Sequence, residues 1–170
     1  RRDGAALPSR ALLITFDDGW LDNADYAMPA LQRAGLPAVM FVVADAVGAG
    51  QPFYQERIIA AWRRGRLTVA TLAATMAGQG ADIAELDGID GLRRLIATLE
   101  TLPPAQRRAV LDRHADALDD GLQHMIDVAD LARLRAGGIE LGRHGKSHVP
   151  MRRAEDLDAE LGGAREAMAA

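Results

Sequence analysis

ALLITFDDGW, residues 11–20, is an apolar run that stops abruptly at two adjacent carboxylates, Asp17 and Asp18. Residues 11–16 are apolar and β-branched towards their end, which predicts a short buried strand. Like charges side by side at the end of such a strand are costly, because each disfavours ionisation of the other. Something must compensate them. A divalent cation is the partner we expect, and the residues that would complete its site lie far along the chain.

Working outward, Asn23–Ala34 has apolar residues spaced for an amphipathic helix. Pro29 inside it should bend that helix or mark its true first turn. Gly35 is a C-cap candidate, with Pro37 beyond it as a stop signal. AVMFVVA, residues 38–44, is a continuous apolar run and predicts a second strand. Strand, helix, strand in so short a stretch is a βαβ unit, with parallel pairing and a right-handed crossover.

After Gly50 the pattern changes. Residues 54–136 contain no convincing strand but five helical stretches, near 54–64, 68–77, 89–100, 104–120 and 127–136. Pro103-Pro104 opens the fourth, and Gly78 and Gly80 separate the second from the third. A helical run of that length inside a βα pattern reads as an insertion or cap over 50–136. IELG, residues 139–142, predicts a third strand, and residues 155–169 a last amphipathic helix. Three strands cannot close a parallel barrel, which needs about eight and typically about 250 residues. The fold is therefore a small open α/β sheet or part of something larger.

The third strand leads into GIELGRHGKSHVP, residues 138–150, where His144 and His148 stand four residues apart. On a helical turn that spacing sets both imidazoles on one face, within reach of one ion. Two imidazoles and one carboxylate make a facial site with open positions, and the other carboxylate is then free to act as a base. Taken alone, Asp-Asp-Gly is often a turn with a helix-capping acid, and a His-x-x-x-His pair often a solvated helix face. Two such clusters, each at a predicted strand end, point to a metal centre instead. His114 and His124 lack that context and read as surface residues of helices. Trp20 either lines the mouth of the site or packs against the following helix. Arg143 and Lys146 offer phosphate contacts, which leaves a phosphoesterase as a weaker reading.

Composition narrows the classes. A chain of 170 residues with 49% hydrophobic residues suffices for one domain with a sizeable core. A net charge of −4 gives no electrostatic case for nucleic acid or an anionic membrane surface. There is no cysteine, which removes disulfides, thiolate metal sites and cysteine nucleophiles together. No apolar stretch approaches the roughly 20 residues that span a bilayer. Lack of cysteine selects neither side of a membrane, and a start at Arg1 rather than Met is compatible with a cleaved signal peptide.

TFDDG (15–19) followed by HGKSH (144–148) resembles the first two motifs of the polysaccharide deacetylase family, the NodB-type carbohydrate esterases that remove acetyl groups from sugars. DNADYAMPALQRAGLPAVMFV (22–42) also resembles that family's first helix and second strand. The similarity covers residues 11–45 and 126–160 well and the helical middle poorly. It implies an α/β fold that is part of an irregular (β/α) barrel, with a large helical insertion between the second strand and the His-x-x-x-His motif. Residues 1–170 would then form a single, incomplete domain, with 50–136 inserted in it.

The resemblance further implies Asp17 as general base and Asp18, His144 and His148 as metal ligands. The ion would be zinc, or else cobalt, nickel or manganese, polarising the acetyl carbonyl and activating a water whose proton Asp17 takes. The oxyanion would be held by the metal and a backbone N–H. The substrate would be an acetylated polysaccharide or oligosaccharide; no residue is assigned to bind it. Further family motifs, among them an Arg-Pro strand end and a late His acting as acid, are not found after Met151. The rival reading is therefore a non-catalytic metal- or carbohydrate-binding module on a degenerate barrel. Open sheet edges also predict self-association of this chain.

Overall fold

The computed structural model describes residues 9–77, 87–151 and 156–168. They divide into two compact units, one built from the segments up to Gly50 and from Gln123 onward, the other from Gln51–Leu122.

The first unit is organised on a three-stranded sheet of β1 (Thr15–Asp18), β2 (Ala38–Val42) and β3 (Ile139–Arg143), in the order β1-β2-β3. Both pairings are parallel, as the βαβ pattern requires. Their register sets Asp18 beside Val42, and Val42 beside Arg143. The carboxyl ends of all three strands are thus level, and the chemistry-bearing residues leave the sheet along one edge of it.

The first strand begins later than its sequence suggests. Leu12 and Leu13, expected inside a buried strand, are 87% and 69% exposed, and the strand starts at Thr15. Pro37 accounts for the shift. The last rung between these strands is Val39 N–H donating to the Ile14 carbonyl at 3.0 Å. One step back the donor would be Pro37, which has no N–H. The ladder stops there, and the residues before Ile14 have no rung to join.

Between β1 and β2 the chain makes a single widened turn over Asn23–Ala27 and then helix α1 (Met28–Ala34). Pro29 sits in the first turn of α1, where its missing N–H costs nothing, and the wide turn before it absorbs the break in the hydrogen-bond pattern. Gly35 closes α1 in the left-handed conformation at φ 63°, its N–H donating to the Gln32 carbonyl at 3.1 Å. Later in the chain α7 (Val128–Ala136) packs on β3. Its entry is fixed by a reciprocal capping box between Asp127 and Asp130. α8 (Leu157–Ala167) follows β3. Ala24, Met28, Met40, Val42, Ile126, Leu134 and Ile139 form the core of this unit.

The second unit is entirely helical among its described residues: α2 (Tyr54–Arg63), α3 (Val69–Met76), α4 (Gly88–Thr101), α5 (Pro104–Asp112) and α6 (Ala115–Leu118). α4 shows the logic most plainly, burying Leu92, Leu95 and Leu99 from one face against Ile58, Leu72 and Met76. The single helix expected over 104–120 is broken at Arg113–His114. There the half-buried His114 turns its Nε2 to the Thr75 hydroxyl at 2.8 Å instead of continuing the helix on a surface face. Gly78 and Gly80, the expected separators, lie outside the described residues, as do residues 155 and 169 of the expected last helix.

Where the chain leaves for this helical unit and returns, the N–H groups of His124 and Met125 donate to the Gly50 carbonyl at 2.7 and 3.3 Å. Among the described residues no helix is long and apolar enough to cross a membrane.

Candidate metal centre

β1 carries Asp17 and Asp18 as its last two residues, and their side chains fare differently. Asp17 is exposed; Asp18 is half-buried and takes a left-handed backbone at φ 73°. From the other side of β2, His144 extends the β3 ladder by one rung, its N–H donating to the Val42 carbonyl at 2.8 Å. The result brings Asp18 Oδ1 to 3.5 Å from His144 Nε2 and 3.3 Å from His148 Nε2. A ligand atom from each of the three residues lies within 4.8 Å of the others. Asp18 keeps its second oxygen busy: Trp20 Nε1 donates to Oδ2 at 3.2 Å. Trp20 thus touches Asp18, one of the clustered residues.

These spacings fit a shared cation. Ligands held about 2.0–2.1 Å from a tetrahedral ion stand about 3.3–3.4 Å from one another. Hydrogen-bonded N and O atoms are usually closer, at about 2.7–3.2 Å. An acceptor-only carboxylate facing two imidazole nitrogens, all half-exposed, is also the donor set expected of a divalent transition ion. The imidazole rings stand 5.6 Å apart, tilted by 43°.

The histidines meet by a route that the spacing argument did not supply. Residues 144–148 form no helical turn; they are an irregular loop in which Gly145 (φ 87°) and His148 (φ 63°) both take left-handed conformations. Two reversals in five residues curl the chain until both rings face Asp18. A side chain at 145 would also be blocked, because a Cβ there would stand 2.8 Å from Glu160 Oε1.

Glu160, on α8, is the residue that sequence reasoning missed. It is only 7% exposed, yet it is an acid. Its Oε1 accepts from the Lys146 and Ser147 N–H groups at 2.7 and 2.8 Å, and its Oε2 from the Ser147 hydroxyl at 2.8 Å. Burial pushes its carboxyl up, but the Ser147 amide and hydroxyl, the Lys146 amide and the Lys146 charge outweigh that and hold it below the usual glutamate value. The signal was faintly present: Glu160 and Ala164, four apart, are the buried positions of α8. Among the acids of AEDLDAELGG, that face cannot be picked out without the loop it holds.

The remaining expected residues sit elsewhere. Asp17 is not one of the clustered ligands; its carbonyl accepts from Gly19 N–H at 2.9 Å and its carboxylate is on the exposed side. Arg143 is exposed, while the aliphatic stem of Lys146 lies against Gly163 of α8. His114 belongs to the helical unit, and His124 is half-buried, its N–H donating to the Gly50 carbonyl and its carbonyl accepting from Leu21 N–H. Neither is the helix-surface residue expected.

A family profile described as polysaccharide deacetylase matches residues 4–170 of this chain. One curated relative, YxkH of Bacillus subtilis (strain 168), carries the polysaccharide deacetylase name provisionally and is 35% identical over 49 residues. That segment is 29% of this chain and 18% of YxkH, so the match spans well under two thirds of the relative's length. No solved structure matches the chain significantly. With the profile covering nearly every residue, and its description agreeing with the two motifs at the strand ends, the chain belongs to the polysaccharide deacetylase family.

Proposed function

We propose that this chain carries the metal centre of a hydrolase that removes acetyl groups from a polysaccharide or oligosaccharide. Asp18, His144 and His148 would hold a divalent transition ion, zinc first, with cobalt, nickel or manganese compatible with the same donors. The observation that carries the reading is the convergence of these three ligand atoms, at co-ligand spacing, on the carboxyl edge of the parallel sheet. Parallel α/β architectures place reactive groups on that edge.

A bound ion supplies a Lewis acid for the acetyl carbonyl and lowers the pKa of a water beside it. The protein's own part is orientation and proton handling. Trp20 restrains Asp18 so that one oxygen faces the histidines. Asp17, next in the chain and exposed, is the proposed base that takes the attacking water's proton. Acetate leaves, and the sugar keeps a free amine or hydroxyl. The expected insertion over 50–136 remains a proposal for the family's barrel; its part over Gln51–Leu122 is a compact unit, while residues from Gln123 belong to the sheet-bearing one.

The test is acetate release from an acetylated chitooligosaccharide, measured with zinc after chelator treatment. Turnover should require the metal and fall by about 10²–10⁴-fold in Asp17→Asn. Equal turnover in that variant would remove Asp17 as the base. A binding module without turnover would use the same three ligands and is the second reading. Zinc and sugar binding with no acetate from either protein would select it.

A further inference from the structure

We infer that Glu160 is a positioning residue for the metal-ligand loop: by gripping Lys146 and Ser147 from α8, it sets the directions in which His144 and His148 present their nitrogens. The inference rests on the metal-centre reading above and adds to it a residue outside both motifs.

A carboxylate at 7% exposure pays a large desolvation cost unless donors surround it. Glu160 has three, and all of them belong to the two residues between Gly145 and His148. An acid serving only to cap or solvate α8 would face its own helix end or water. This one faces the short segment that joins the two imidazoles.

That segment needs holding. His148 sits at φ 63°, a conformation that costs a non-glycine residue free energy and persists only where the surroundings impose it. The loop's carbonyls are gripped from one side, Gly145 O by Ala44 N–H at 3.2 Å and Lys146 O by Asp45 N–H at 2.9 Å. Its amides are gripped from the other, by Glu160. With carbonyl and amide both engaged, the Gly145–Lys146 and Lys146–Ser147 peptide units are restrained against turning. Gly145 leaves just the room this requires, since any Cβ there would press on the same carboxylate oxygen. Residues that orient metal ligands from behind are typically worth about 10–100-fold in metal affinity.

The experiment is a Co²⁺ titration of the full chain, followed by visible absorption, on wild type, Asp18→Asn, Ser147→Ala, Glu160→Gln and Glu160→Ala. Circular dichroism would check folding of each metal-free protein. Glu160→Ala should bind Co²⁺ about 10–100-fold more weakly, with an altered ligand-field spectrum. Glu160→Gln keeps an oxygen for the two amides and should fall between it and wild type. A folded Glu160→Ala with wild-type affinity and spectrum would overturn the inference. Should that variant not fold, unchanged affinity and spectrum in both Glu160→Gln and Ser147→Ala would overturn it equally. The underlying reading fails separately, through a wild type that takes up no Co²⁺ or an Asp18→Asn that binds as tightly; either result overturns the role of Glu160 as well.

Discussion

Two of the three clustered residues, Asp18 and His148, are non-glycine residues at positive φ. Such strain is tolerated where neighbours over-determine the backbone, and here the sheet register, Trp20 and Glu160 do so. His114 shows the same economy in a residue with no place in the metal centre. Burial, and then the Arg113 charge, hold its imidazole below the ordinary value, so folding favours the neutral ring. Its contribution to stability is complete above about pH 6.5 and is lost as the pH falls from there towards the lowered value. We therefore expect the melting temperature to drop more between pH 7.5 and pH 5.5 in wild type than in His114→Gln, whose amide can still reach the Thr75 hydroxyl. Equal slopes in the two proteins would refute this account.

Among the elements, those governed by local chemistry were legible in the sequence. Gly35 ends α1, Pro29 opens it, and the apolar run at 38–44 contains β2. The start of β1 was not, because it depends on a missing donor in the neighbouring strand: Leu12 looks as apolar as any core residue, and only its would-be rung partner, Pro37, excludes it. The proposed ligands Asp18, His144 and His148 were legible as residue types at strand ends, but the irregular loop that aims the histidines and the acid behind it were not. Both arise from contacts between segments distant in sequence. α7 offers a test at this scale. Its capping box satisfies two backbone donors that would otherwise go without partners at the helix start. Replacing Asp127 by Ala should cost about 1 kcal/mol, seen as a reduced denaturation midpoint at unchanged slope. An unchanged midpoint would mean that water replaces the box at no cost.

At the scale of the molecule, the three proposed ligands and Glu160 all belong to the sheet-bearing unit, and residues 51–122 have a hydrophobic core of their own. Replacing 51–122 by a short Gly/Ser linker should therefore leave a folded protein whose Co²⁺ affinity is within a few-fold of the full chain. Loss of binding in a folded product would show that the helical unit supports the site. The Gly50–His124 bond makes the excision geometrically simple, since the two ends to be joined are already neighbours.

The same bond bears on the order in which the molecule takes shape. β1 and β2 are joined by a short crossover and can meet early, but β3 finds β2 only after the long segment between them has been closed, and such distant pairings are slow. Helices of local contacts gather fast by comparison. Once residues 51–122 have collapsed, Gly50 and His124 are brought together, and the remaining search is that of a loop a fraction as long. On this route Asp18 waits on a finished parallel crossover while the histidines are still diffusing. A cation held by Asp18, His144 and His148 as proposed would meet all three only at the last step of folding, so a nascent chain released before its histidines are made carries the carboxylate alone.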